Sequence, residues 1–413
     1  MKLALVGVGA AGTRIVDRIV QAERTTGRAV TGGNVLVYDT AGDAFTEATA
    51  IPSDRRVLLG DAHPAVVRPD DDGQDKETDA AADSATRFGV GGDPDAGATV
   101  AQADLPEIRR ALDSVDETAA AATMVVVGLG GGTGSGVGSV VLDELRSAHE
   151  SPVYALGVLP AATEPDERAL TAARGVRTIV PLADAVFPVD NEAWRRSDRV
   201  SDDYARINDR VATRMLALFG AGEGSTGAEM RVDPADVQRT LAVGGLAAVG
   251  RQTMTVDAAG GGWLARLWRL LGVGTEPSAV DAGTIKTLVR RALNSELTVP
   301  CSVASADRVL LLLSGPPSTI SRKGFETGRY LLEEETGTVE VLAGDESRPG
   351  ATAVTATVVL ANVTDVPPVE RLQARAIDRL EATTDEPDSG TRAASAGGES
   401  TAEFEFSAGT EDA

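Results

Sequence analysis

A parallel β-sheet covered by helices, with a second domain behind it, is expected from three features of this 413-residue chain. Short apolar runs alternate with amphipathic helical runs through the first half, the pattern of a parallel α/β sheet. Glycine-rich stretches stand where several of the apolar runs end. A long helical pattern over residues 203–219 closes the alternation, and the sequence beyond it changes character.

Residues 3–6 are the first buried-strand candidate and lead into Gly7-Val8-Gly9-Ala10-Ala11-Gly12. Ile15, Val16, Ile19 and Val20 then recur at helical spacing. Residues 35–38 form a second strand, ending at Asp39-Thr40. The stretch 66–86 is rich in Asp and poor in apolar groups, and reads as an acidic surface insertion. Helical sequence returns over 101–120, residues 124–127 are the next strand, and a helix is expected to start near Ser135. Residues 152–160 and 185–190 supply two further strands, and 309–313 and 353–360 are strand-like within the second region. Past about Glu381 the chain is mostly Thr, Glu, Ser, Gly and Ala. The class is α/β, divided as an N-terminal parallel-sheet domain at 1–202, a central helix at 203–222, a C-terminal α+β domain at 223–376 and a disordered acidic tail at 377–413.

A formal net charge of -23 excludes nonspecific nucleic-acid binding, which needs a basic surface. Only Lys2, Lys76, Lys286 and Lys323 among the 39 basic residues are lysines. Abundant Asp, Glu and Ala with Arg in place of Lys fits a salty cytoplasm, where molar salt screens charge within about 3 Å. An acidic protein from a GC-rich genome would look similar. One cysteine, Cys301, excludes an internal disulfide, and His63 and His149 alone make histidine-based zinc chemistry improbable. No apolar run reaches the roughly 20 residues of a membrane span, and the N-terminus runs straight into a strand. A cytoplasmic protein without a transmembrane segment is expected.

Three glycine loops compete for a phosphate. Gly7-x-Gly9-x-x-Gly12 fits the dinucleotide fingerprint of Rossmann-like domains, and Asp39 at the end of the second strand would suit a ribose. An NAD-dependent oxidoreductase is therefore compatible with the first forty residues. The second loop is richer: Gly130-Gly131-Gly132-Thr133-Gly134-Ser135-Gly136 sits between a buried strand and a helix. Glycine permits positive φ and close approach of backbone N–H groups to an anion, and the helix start adds its positive end. The hydroxyls of Thr133 and Ser135 are candidate phosphate donors. The third loop holds Gly89, Gly91 and Gly92. Three such loops in one sheet suggest convergence on a polyphosphate at its carboxyl edge.

The Gly130 to Gly136 run resembles the signature of the tubulin/FtsZ superfamily. The N-terminal MKLALVGVGAAGTRIVDRIV, the Asp39-Thr40-Ala41 triplet where Asn-Thr-Ala is usual, VLLLLSGPP from Val309 and ANVTDVP from Ala361 resemble the archaeal CetZ family. The resemblance implies a GTPase domain binding GTP or GDP, with Mg²⁺ as the default cation. Ala10, Ala11, Gly12, Thr13 and Arg14 would wrap the phosphates; Ala10 stands for a Gln or Gly and Thr13 for a Gly. Gly91 and Gly92 would face the γ-phosphate and Gly132, Thr133 and Gly134 the α/β-phosphates, with Gly130 and Gly131 also at the nucleotide. Glu164 and Arg168 would contact ribose and phosphate, although at i,i+4 they also read as a surface ion pair. Asn191 would contact ribose and base.

Tyr204 and Asn208 are four apart, hence on one helix face; a ring can stack on a purine and an amide can read guanine. Arg231-Val232-Asp233-Pro234-Ala235-Asp236 resembles the superfamily's catalytic loop, with Arg231 where Asn is common. The resemblance implies that Asp233 and Asp236 orient water in the neighbouring subunit of a head-to-tail filament. Asp233 also reads as an N-cap before Pro234. The implied role is a cytoskeletal filament that controls cell shape, assembling with itself and with tubulin-like paralogues. Alternatives are an FtsZ-like division protein and a non-hydrolysing nucleotide-bound scaffold. The segment from Trp263 through Trp268 to Leu271 reads either as core or as a peripheral membrane or partner contact.

Overall fold

The first strand, β1 (Leu3–Val8), is buried at every residue and turns directly into helix α1 (Gly9–Thr26) at Gly9, whose φ is +74°. The computed structural model describes residues 1–67, 88–221, 232–256, 280–294, 297–316, 319–348 and 350–385. The first half continues through β2 (Val35–Asp39), α2 (Asp43–Glu47), β3 (Arg56–Leu58), α3 (Pro94–Ala103), α4 (Leu105–Leu112) and β4 (Ala122–Gly128). After it come α5 (Gly138–Ala148), β5 (Val153–Leu159), α6 (Asp166–Ile179), β6 (Ala185–Asp190), α7 (Asn191–Trp194) and α8 (Tyr204–Phe219).

Strands β1 to β6 make one parallel sheet in the order β3-β2-β1-β4-β5-β6. The chain winds outward on one side of β1 and then on the other side from β4. The strand order therefore reverses between β1 and β4, and a crevice opens there beyond the carboxyl ends. Strands β4 and β5 are apolar along nearly their whole length because helices cover both faces.

The central helix α8 buries Ile207, Val211, Met215, Leu218 and Phe219 against this domain. Phe219 packs with Tyr154 and Phe187 at centroid distances of 6.2 and 6.0 Å, which fixes the carboxyl end of α8 on the sheet. Beyond it lie α9 (Pro234–Leu241), β7 (Ala247–Thr255), α10 (Ala282–Asn294), β8 (Arg308–Gly315), α11 (Arg322–Thr336), β9 (Val341–Ser347), β10 (Ala353–Ala361) and α12 (Pro367–Asp385). The second sheet runs β7-β10-β8-β9, with β10 antiparallel to both neighbours and β9 parallel to β8. An isolated bridge from Val186 to Leu246 joins the two sheets.

Several expected boundaries move. The helix over 101–120 is two helices, and the first starts at Pro94. Asp93 caps it by accepting from the amides of Asp95 and Ala96, and Pro94 occupies the first helical position. The helix expected near Ser135 begins with a π-turn at Thr133. At the carboxyl end α12 runs to Asp385, past the boundary drawn at 377. The insertion beyond Val67, Arg231, the segment 263–271 and residues 386–413 lie outside the described residues. Val67 and Gly89 exchange two backbone hydrogen bonds of 2.7 and 2.8 Å, pinning the two ends of the insertion together. Among the described residues no helix is long and apolar enough to cross a membrane.

Candidate nucleotide site

The crevice at the β1/β4 switch is lined from four directions. From α1 and the end of β1 come Gly9, Ala10, Ala11 and Arg14; from the third glycine loop, Phe88, Val90, Gly91 and Gly92. Gly128 and the run Gly130, Gly131, Gly132, Thr133 and Gly134 form the floor, and Glu164, Arg168, Asn191, Tyr204 and Asn208 the far wall. All of these except Gly9, Phe88, Val90 and Gly128 are expected from the sequence. Asp39 and Asp43 also face the crevice.

Two expected residues do not line it. A Cβ on Gly12 would lie 2.2 Å from the carbonyl oxygen of Val126, so this glycine lets α1 press onto β4. Thr13 is fully buried on the same helix. Gly12 thus serves helix-to-sheet packing, the role of the third glycine in the fingerprint. The Ser135 hydroxyl is also spent: it donates to Leu129 O at 2.6 Å inside the fold. Thr133 keeps its hydroxyl at the crevice, 2.7 Å from that of Thr40.

The glycines of the rich loop act by close approach and not by unusual dihedrals. Positive φ occurs in the crevice at Gly9, Gly91 and Gly92, and at no residue from Gly130 to Gly136. Instead, a Cβ on Gly134 would meet Gly128 O at 2.2 Å, and one on Gly132 would meet the backbone of Asp93 at 2.5–2.7 Å. The loop is thus folded against its own strand and against the start of α3. Three backbone segments can pack this tightly only where side chains are missing.

Glu164 and Arg168 do form the i,i+4 ion pair, at 2.9 Å, but largely buried at the crevice wall. Glu164 also accepts from the amide of Ala161 at 2.8 Å and from the Tyr204 hydroxyl at 3.4 Å. One carboxylate therefore ties the β5–α6 loop to the first residue of α8. Asn208 lies one turn along the same face.

Asp39 is 2% exposed. Its Oδ1 accepts from the amides of Thr40 and Ala41, whereas Oδ2 is buried without a hydrogen-bond partner among the described residues. Burial pushes this carboxyl above the ordinary range, against the two backbone donors. Asp190 at the end of β6 is raised for the same reason. A group held more protonated in the folded state costs stability as pH rises past its unfolded pKa of about 3.9. In nucleotide-free protein, Asp39→Asn is therefore expected to raise the melting temperature relative to the parent by a margin that grows as pH rises from about 4, where the unfolded carboxyl begins to ionise, and then levels off. Calorimetric scans of both proteins in molar KCl measure that margin; a constant or shrinking difference contradicts the assignment.

Asp233 and Asp236 are nowhere near this crevice. Asp233 Oδ1 accepts from the Asp236 amide at 3.0 Å, Asp236 Oδ2 accepts from the Asp233 amide at 3.1 Å, and Pro234 follows the cap. This is the expected N-cap, completed as a capping box. Helix α9 is held by Gln238 Nε2, which donates to Ala121 O at 2.9 Å, immediately before β4 begins. The crevice lies at the other end of β4, about 20 Å away for a seven-residue strand. The two carboxylates and the crevice therefore occupy opposite edges of one sheet.

A six-stranded parallel sheet with glycine loops at its switch point, a central helix lending its first turn to the crevice, and a mixed second sheet define a tubulin-type nucleotide-binding protein. Residues 2–198 match the family model described as Tubulin/FtsZ family, GTPase domain, and residues 197–378 that described as Tubulin-like CetZ, C-terminal domain. The chain belongs to the tubulin-like CetZ family. It is 37% identical to the tubulin-like protein CetZ1 of Haloferax volcanii over 390 residues, 92% of each chain. The structure is similar to a GDP-bound monomer of CetZ1 from Haloferax volcanii, with TM-score 0.75, 34% identity and coverage of 92% of this chain and 100% of that one. It is also similar to a GTPγS-bound protofilament of CetZ2 from the same organism, with TM-score 0.74, 30% identity and coverage of 93% and 100%. This membership removes the oxidoreductase reading of the first forty residues.

Proposed function

We propose that this chain binds GTP in the β1/β4 crevice, assembles head to tail into filaments, and hydrolyses GTP where one subunit's Asp233 and Asp236 meet the next subunit's nucleotide. The observation that carries the proposal is the placement of the crevice and the α9 carboxylates at opposite edges of the parallel sheet. A stack with one orientation brings the two edges together, and a nonclosing head-to-tail contact repeats without limit. The GTPγS-bound protofilament of the related CetZ2 supports stacking of this kind.

In this reading Gly91 and Gly92 face the γ-phosphate, and Gly130 to Gly134 the inner phosphates. Arg14 and Arg168 are the cations of the crevice wall. The partnerless Oδ2 of Asp39 fits a Mg²⁺ ion carried in with the triphosphate, since a hard cation takes carboxylate oxygen and would offset the charge of Asp39 beside phosphate. Two carboxylates from the neighbour orient water for in-line attack. Tyr204 stacks on the base and Asn208 reads its edge. Asn208→Ala is expected to narrow the preference for GDP over ADP by about tenfold, one lost amide contact, in competition binding. An unchanged preference contradicts the role of Asn208.

Control of cell shape in a salty cytoplasm, in company with tubulin-like paralogues, is the cellular reading this family membership supports. Light scattering in molar KCl tests the core of the proposal. GTP should raise the signal with accompanying phosphate release, and GDP should not. Scattering without phosphate release would favour a non-hydrolysing scaffold, and the absence of both would overturn the filament reading.

A further inference from the structure

The C-terminal helix reaches back to the nucleotide crevice. Helix α12 packs along α6, and Arg375 on α12 crosses to the loop between β5 and α6. Its Nη2 donates to Glu164 O at 3.0 Å and to Asp166 Oδ1 at 2.7 Å; its Nη1 points to Ala161 O at 3.4 Å. Arg379, one turn on, pairs with Glu167 at 2.9 Å. Ala161 and Glu164 are the same two residues tied by the Glu164 carboxylate on the crevice side.

The loop is thus gripped on both faces. On its inner face the Glu164 carboxylate joins Ala161, Arg168 and Tyr204. On its outer face one guanidinium collects the backbone carbonyls of Ala161 and Glu164. The Asp166 contact is exposed and contributes little, so the carbonyl contacts carry the grip. Arg suits this task because its planar fork can hold several acceptors at once.

We infer that Arg375 is a positioning residue for nucleotide binding: it fixes the β5–α6 loop so that Glu164 and Arg168 are set for the nucleotide before it arrives. The inference rests on the crevice being the nucleotide site.

Equilibrium binding and release of fluorescent GDP, measured in molar KCl on the full chain, test this. Arg375→Ala is expected to weaken binding about tenfold, mainly through faster release. Arg375→Lys, which can serve one carbonyl, should fall between. Asp166→Asn, which leaves both carbonyl contacts, should stay within about twofold of the parent. If Arg375→Ala lowers the melting temperature of the nucleotide-free protein but its folded fraction binds GDP like the parent, the residue is merely structural and the inference is overturned. If Arg375→Ala does not fold, Arg375→Lys decides, and parental affinity there overturns it. Failure of the parent itself to bind GDP would instead sink the nucleotide reading of the crevice.

Discussion

Asp233→Ala is expected to retain GTP affinity while losing turnover by about 10²- to 10⁴-fold, the range for removing a positioned general base. The two readouts separate because Asp233 sits about a strand's length from its own crevice. The substitution also removes an N-cap and half of a capping box, which costs about 1 kcal/mol of local stability. Asp233→Asn controls for this, since Asn caps a helix nearly as well but cannot accept a proton. It should keep the stability of the parent and still lose turnover. Turnover by Asp233→Ala at the parental rate would show that the α9 carboxylates are not the hydrolytic groups. Filaments of either variant should accumulate with GTP retained, which sedimentation with nucleotide analysis would report.

Gly134→Ala is expected to be the most damaging single methyl in the crevice. Its Cβ would stand 2.2 Å from Gly128 O and 3.0 Å from the carbonyl carbon and amide nitrogen of the same residue. These are backbone atoms of β4, so no flexible side chain can move aside. The loop must shift away from the strand, at a cost of about 1–3 kcal/mol, and its amides leave their set positions. Loss of GDP affinity by about a hundredfold is expected, against a smaller fall in melting temperature. Gly131→Ala is the matched control, because its added Cβ would meet only Gly128 O at an ordinary 3.7 Å. Equal damage from the two substitutions would mean that close approach is not why the loop is glycine-rich.

The parallel sheet was legible because β1, β4, β5 and β6 are buried on both faces and therefore apolar along nearly their whole length. The crevice residues were legible because three glycine-rich loops fall at strand-to-helix turns of one sheet, where their backbone amides can converge on an anion. Less visible were β7 and β9. Strand β7 carries Arg251 and Gln252, and β9 carries Asp345 and Glu346, so neither reads as a buried run. Glu346 is nonetheless buried, in an ion pair with Arg28 at 2.7 Å, a partner more than three hundred residues away that no local pattern reveals. The same limit explains why Gly12, Thr13 and Ser135, expected at the crevice, are absent from its lining. Each sits in a motif whose neighbours face the crevice, and only three-dimensional packing decides which face each one takes. Asp43 went unremarked for a simpler reason, since an acidic residue in a helix's first turn is ordinary.

The central claim is that hydrolysis needs two subunits. The rate of phosphate release per subunit, measured against protein concentration at saturating GTP in molar KCl, tests it most directly. Subunits below the concentration at which scattering appears should hold GTP without hydrolysing it. Above that concentration the rate per subunit should rise and level off as each crevice acquires a neighbour's Asp233 and Asp236. A rate per subunit that is already at its plateau in dilute, filament-free protein would place the whole hydrolytic site within one chain and contradict the account.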